Sequence, residues 1–251
     1  MATLPRKFID NYTDALNKLS EDVREKLRDA LSSIDMSDVA AAREAIIDVM
    51  ETYLGPYTDM AAVIAAEFYD GVRAFETGAA LGALAESGRK PIATEKAVRG
   101  IMQTIVEGGA ASVVIDKLAD RADYEIKRSA IECIYANGAR DPLKPMFVRV
   151  PNALEACHFC MMLASRGPER RNEANIKHAH ANCNCRIMQV YEGQKIEGYD
   201  EKECYDKWQD MIDEDAKARA ERNGTTVESE RAKIMQTYAD AAKRAKQRAK
   251  Q

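Results

Sequence analysis

The chain has 251 residues, 46% of them hydrophobic and 31% charged, with a formal net charge of −4. That balance excludes a disordered chain, and its mild acidity argues against a dedicated nucleic-acid binder. Aromatics are only 6%, and the abundance of Ala, Glu, Lys, Arg and Leu favours helix over extensive sheet.

From Arg6 to about Leu31, the residues Phe8, Tyr12, Leu16, Leu19, Val23, Leu27 and Leu31 recur in steps of three or four. That is the α-helical period. The N-terminus, Met1 to Leu19, lacks the apolar core of a signal peptide, and no run approaches the roughly 18 apolar residues that cross a bilayer. The expected compartment is a cytoplasm. There, six cysteines point to metal binding or free thiols and not to disulfides.

Asp38 to Leu54 repeats the helical pattern with Val39, Ile46, Val49, Met50 and Tyr53, and Ser37 is the expected N-cap. Gly55-Pro56 reads as a break. Thr58 then caps a third helix carrying Met60, Ile64, Phe68, Val72 and Phe75. Gly78, Gly82 and Gly88 mark a loose connection. Thr94 to Ile105 forms another helix, with Val98, Ile101, Met102 and Ile105 on one face, and Gly108-Gly109 breaks it. A long helix follows from about Ala111 to Tyr135, ended by Asn137-Gly138. Residues 1–140 are thus expected to form a helical bundle with short connections.

Composition then shifts. Asp141-Pro142 and Lys144-Pro145 read as a linker, and Met146 to Val150 alternates as a short strand stopped by Pro151. Cys157 to Arg166 reads as a tight turn running into a short helix, with Gly167 at its end. Residues 168–177 are polar loop, and Ile187 to Tyr191 is a second strand. Pairing of the two strands would bring the flanking cysteines together. Residues 146–192 therefore form a small α+β module. Over 199–251 come two helices. The first opens on a capping box of Asp200 with Glu203 and carries Trp208, Met211 and Ile212. Asn223-Gly224 turns the chain, and Thr225 with Glu228 opens the second. Its end is basic, with Arg231, Lys233, Lys243, Arg244, Lys246, Arg248 and Lys250, which suits a helix C-terminus.

The chemistry concentrates in the module. Cys157-His158-Phe159-Cys160 is answered about one helix later by His180-Ala181-Asn182-Cys183-Asn184-Cys185. Zinc takes four tetrahedral ligands, commonly thiolates and imidazoles. Two thiols three residues apart can face one ion, and His180 with Cys183 repeats that spacing. Residues two apart on a strand point the same way, so Cys183 and Cys185 could both reach it. The expected ligands are Cys157, Cys160 and His180, with Cys183, Cys185 or both supplying the rest. The bland alternative is a set of buried, reduced thiols. A sulfur-rich set with ligands to spare favours a closed structural zinc over a catalytic one, which needs an open position. A zinc deaminase would need Pro-Cys-x-x-Cys, and Ala156 precedes Cys157. His158 and His178 are expected at the surface, Cys133 and Cys204 as small core residues, and Trp208 as a core anchor. Arg170-Arg171 reads as solvated loop. There is no Walker loop, GxGxxG, GxSxG, HExxH or EF-hand pattern, so no catalytic or organic-cofactor residue is assigned and the chain is not expected to be an enzyme.

The stretch from Val150-Pro151 through Cys157-His158-Phe159-Cys160 and Leu163-Ala164-Ser165-Arg166-Gly167 to His180-Ala181-Asn182-Cys183-Asn184-Cys185 resembles the MuF-type head-morphogenesis, or minor capsid, proteins of tailed bacteriophages. Versions from phages of actinobacteria are the most similar. The motif match covers residues 150–191, and the helical flanks agree in kind. The family's usual Cys-Arg-Cys is Cys183-Asn184-Cys185 here. The resemblance implies a low-copy virion protein of the phage head, assembled in the host cytoplasm. It implies portal or major capsid protein as partner, with DNA a further candidate at the basic C-terminal helix and no membrane. The expected fold is mainly α: an N-terminal bundle, a zinc-stapled module and C-terminal helices. The rival readings are a zinc-containing nucleic-acid-binding protein and, behind it, a metal-dependent enzyme.

Overall fold

The computed structural model describes residues 3–152, 156–169 and 183–248. Seven helices and four short strands occur among them, so the protein is mainly α. The chain divides into two compact units, one built on Lys7–Lys144 with Ala179–Cys183 and the other on Met1–Arg6 with Pro145–His178 and Asn184–Gln251.

The first unit holds four helices: α1 (Arg6–Ser32), α2 (Val39–Thr77), α3 (Pro91–Val106) and α4 (Ala111–Arg140). In α1 the buried set is Ile9, Tyr12, Leu16, Val23, Leu27 and Leu31, the stripe that a 3.6-residue period requires. Tyr12 stacks on Phe68 of α2 with ring centroids 4.2 Å apart. Arg24 to Asp120 and Arg28 to Asp116 link α1 to α4; such half-exposed pairs contribute well under about 1 kcal/mol each. The core is lined by Ile46, Met50, Leu54, Tyr69 and Val72 of α2, Val98 and Met102 of α3, and Leu118, Ile126 and Ile134 of α4, all fully or almost fully buried.

Five local expectations are corrected. The helix after residue 37 is capped by Asp38, whose carboxylate accepts from the amides of Ala40 and Ala41 at 3.0 and 3.1 Å; Ser37 instead donates its hydroxyl to Asp35. Gly55-Pro56 does not end a helix, because α2 runs through it. Pro56 and Thr52, whose carbonyl loses its donor, both lie on the exposed face, where solvent can reach that carbonyl. The Thr58 hydroxyl donates back to the carbonyls of Leu54 and Gly55 at 2.6 and 3.0 Å. Asn137-Gly138 does not end α4 either. Asn137 is buried and serves the 78–90 connection, its Oδ1 accepting from the Leu84 amide at 2.8 Å and its Nδ2 donating to the Leu84 carbonyl at 3.0 Å. That connection is also held by Asp70, which accepts from the amides of Leu81 and Ala83, both at 2.9 Å. Asp141 is no loose linker residue. It is buried and accepts from the Tyr69 hydroxyl and Arg73 Nε, each at 3.0 Å.

In the second unit β2 (Met146–Val150) pairs antiparallel with β3 (Arg186–Val190), from Met146 opposite Val190 to Val150 opposite Arg186. The second strand begins one residue earlier than its apolar pattern suggests. Between them lies α5 (His158–Ala164). After α5 the chain folds back onto β2: Phe147 and Glu169 exchange both backbone hydrogen bonds at 2.8 Å. At the N-terminus β1 (Thr3–Leu4) pairs parallel with β4 (Lys195–Ile196).

The helices α6 (Glu201–Asn223) and α7 (Val227–Arg248) form a hairpin. Asp200 caps α6, accepting from the Glu203 amide at 2.9 Å, and Gly224 ends it in the left-handed conformation at φ 63°. The fifth correction falls here. Thr226, not Thr225, receives the first amides of α7, its hydroxyl that of Ser229 and its carbonyl that of Glu230. The Thr225 hydroxyl donates to Glu230 at 2.8 Å. The core of this unit joins Met161, Met162, Leu163 and Ala164 of α5 to Cys204, Trp208, Ile212 and Ala216 of α6 and Ile234 of α7. Full burial of side chains of this size contributes about 1.5–3 kcal/mol each, so α5, only seven residues long, is held by packing and not by its own propensity.

Candidate metal centre

The register of the β2–β3 pair sets the site. Cys185 lies one residue before β3, and alternation places it on the face of Ile187 and Gln189. Arg149 stands opposite Ile187 on β2, so it shares that face. Cys160 comes from the first turn of α5, which packs on β2. The Sγ atoms of Cys160, Cys183 and Cys185 all lie within 4.8 Å of one another. All three residues are buried, and their thiols are free of disulfide bonds.

Three sulfurs bound to one zinc at about 2.3 Å in a tetrahedron stand about 3.8 Å apart. The observed grouping needs only a small contraction to reach that. The donor set fits a single thiophilic cation: three buried thiols, and room in the count for one further ligand.

Of the residues assigned from sequence, Cys160, Cys183 and Cys185 converge. Cys157 is half-buried and stands as the N-cap of α5, its carbonyl accepting from the Met161 amide at 3.0 Å. It is one helical turn from Cys160 and outside the three-thiol group. His180 lies outside the described residues, as do His178 and the Arg170-Arg171 pair. His158, between the two cysteines of the turn, is half-buried and not among the grouped ligand atoms.

The two remaining cysteines stand apart from this chemistry. Burial pushes the Cys133 thiol up, and its sulfur donates to the carbonyls of Ala62 and Leu84 at 3.2 and 3.4 Å. Burial, reinforced by the Asp200 and Glu203 charges, pushes Cys204 up to about 11. Such a thiol stays protonated at neutral pH and packs as a small apolar group.

Sequence reasoning missed Arg149. It reads as one alternating residue of a strand, yet it is only 5% exposed, and its Nη1 donates to Cys160 Sγ at 3.8 Å. The available signal was its place on a strand whose partner follows directly on Cys-x-Cys, but the inter-strand register was needed to use it.

The surroundings of α5 are well tied. The Tyr199 hydroxyl donates to the Ala164 carbonyl at 2.7 Å, and burial raises the affinity of that phenol for its proton. Trp208 packs edge-on against Tyr205 and Tyr238 at centroid distances of 5.9 and 5.8 Å. No helix among the described residues is long and apolar enough to cross a membrane.

The family model described as VG15 protein matches residues 3–211, which includes the four-helix unit, the paired strands and the cysteine segment. No curated protein and no solved structure matches the chain.

Proposed function

The chain belongs to the VG15 protein family, a family of phage virion-related proteins, and on that premise we propose that it is a low-copy minor capsid protein of the head-morphogenesis type. It works at the portal or the inner capsid surface and carries a structural zinc on Cys160, Cys183 and Cys185, with Cys157 or His180 completing the set. The observation that supports this best is the family match across both units, joined to the cysteine motif of residues 150–191. The buried, sulfur-rich site favours a closed centre that fixes shape over a catalytic one with an open position. The long helices of the first unit offer the extended faces that a portal or capsid contact uses.

Two measurements test the reading. Quantitative mass spectrometry of purified heads should find the protein at a few copies per particle, and crosslinking should join it to portal or major capsid protein. Its absence from heads and assembly intermediates alike would sink the assignment. Metal analysis of protein purified without metal-affinity resin should give about one zinc per chain, lost in Cys160→Ser.

A second reading, DNA contact through the basic C-terminal helix, is narrowed by the structure. Arg231 is engaged by Asp213 and Gln209, and Lys233 by Glu230. The basic residues of the sequence from Lys243 onward are the proposed phosphate contacts. DNA binding that steepens at low salt and disappears on deleting residues 243–251 would favour it; salt-insensitive or absent binding would end it.

A further inference from the structure

We propose that Arg149 is a positioning residue of the metal centre, its buried guanidinium compensating the surplus negative charge of thiolates bound to a divalent cation. The inference rests on the zinc reading above.

The charge count makes the need. Three thiolates around a divalent cation leave one surplus negative charge if the fourth ligand is neutral imidazole, and two if it is a fourth thiolate. Cys160, Cys183 and Cys185 are all buried, and an uncompensated charge in such surroundings costs several kcal/mol. A neighbouring fixed cation removes most of that cost. A guanidinium supplies it with a charge that does not titrate away and N–H groups that aim at defined points.

Arg149 is placed for this by three independent features. Its register opposite Ile187 puts it on the face that continues into Cys185. It is 5% exposed, so its charge acts in a medium that screens weakly. Its Nη1 lies 3.8 Å from Cys160 Sγ with hydrogen-bond geometry. Hydrogen bonds to ligating atoms orient the ligand and tune its basicity, and their loss typically weakens metal affinity about 10–100-fold. Reduced, neutral thiols would gain little from such a partner, because a protonated sulfur is a weak acceptor. The arrangement therefore favours the anionic, metal-bound form of the site over a set of packed thiols.

The test uses the full-length chain, loaded with zinc or cobalt(II), as wild type, Arg149→Gln and Arg149→Lys. Zinc affinity is read by competition with a chromophoric chelator, and the cobalt–thiolate charge-transfer band reports the sulfurs directly. Emission of Trp208, which packs on α5, checks that each variant folds at saturating metal. Arg149→Gln should lose about 10–100-fold in affinity and shift the band, whereas Arg149→Lys, which keeps the cation, should stay in the wild-type range of affinity while still shifting the band. Equal losses in both variants would make the role one of packing and overturn the proposal, as would no loss in either. If Arg149→Gln does not fold, wild type and Arg149→Lys still decide. Retained affinity with a moved band supports charge compensation, and lost affinity overturns it. Wild-type protein that binds neither metal would instead sink the zinc reading itself.

Discussion

Gly167 ends the turn after α5 at φ 72°, and a Cβ built there would lie 2.6 Å from the Glu201 carboxyl. Glu201 can swing aside, so the left-handed backbone sets the cost. Gly167→Ala should destabilise the second unit by about 1–2 kcal/mol, read as a lower urea midpoint of Trp208 emission. An unchanged midpoint would mean the turn relaxes freely. At this scale the sequence was most legible where chemistry is local. Cys-x-x-Cys and Cys-x-Cys announce themselves by spacing, and Cys133, Cys204 and Trp208 are buried as their residue types suggest. What escaped were residues whose meaning depends on distant partners. Asn137 looked like a helix stop and Asp141 like a linker, yet both are buried acceptors for chain segments more than fifty residues earlier. Arg149 escaped for the same reason.

Helix periodicity placed α1, α3 and α6 within a few residues, because each buries one apolar stripe. It failed where a residue's usual preference met a permissive position. Pro56 is tolerated on the solvent side of α2, so replacing it should help. Pro56→Ala restores a donor for the Thr52 carbonyl, and alanine is about 3 kcal/mol better than proline inside a helix. Proline's stiffening of the unfolded chain offsets up to about 1 kcal/mol of that. The net expectation is a gain of about 2–3 kcal/mol, visible as a higher melting temperature of the helical signal; a loss would show that Pro56 shapes α2 for packing. The α6–α7 hairpin carries its own pH dependence. Hydrogen bonds from Lys233, then from Thr225, hold the Glu230 carboxyl below its ordinary value of 4.5. A lowered folded-state value means the contribution is complete above 4.5 and fades as pH falls through the lower one. Wild type should therefore lose stability on acidification below 4.5 more steeply than Glu230→Gln. Matching slopes would assign the acid sensitivity to other carboxylates.

At the scale of the molecule, the two units differ in what sustains them. The α1–α4 unit has a continuous core of large apolar side chains and no part of the three-thiol group on its helices. The second unit is anchored through a seven-residue helix and two five-residue strands, elements too short to persist without an external constraint. A cation tying Cys160 on α5 to Cys183 and Cys185 beside β3 would supply it, since metal binding free energy becomes folding free energy. Chelation at neutral pH should then act on α5 and the β2–β3 pair and not on α1 to α4. Trp208 emission should shift to the red as α5 leaves α6, while most of the helical circular dichroism, which α1 to α4 supply, persists. Thermal unfolding followed by both probes should separate into two transitions, and added zinc should raise only the one that Trp208 reports, by mass action on the folded state. A single coincident transition that ignores both zinc and chelator would show the thiols to be packing residues in one cooperative fold. Separate transitions would match a virion protein whose helical unit forms on synthesis and whose second unit takes its final shape once metal is bound.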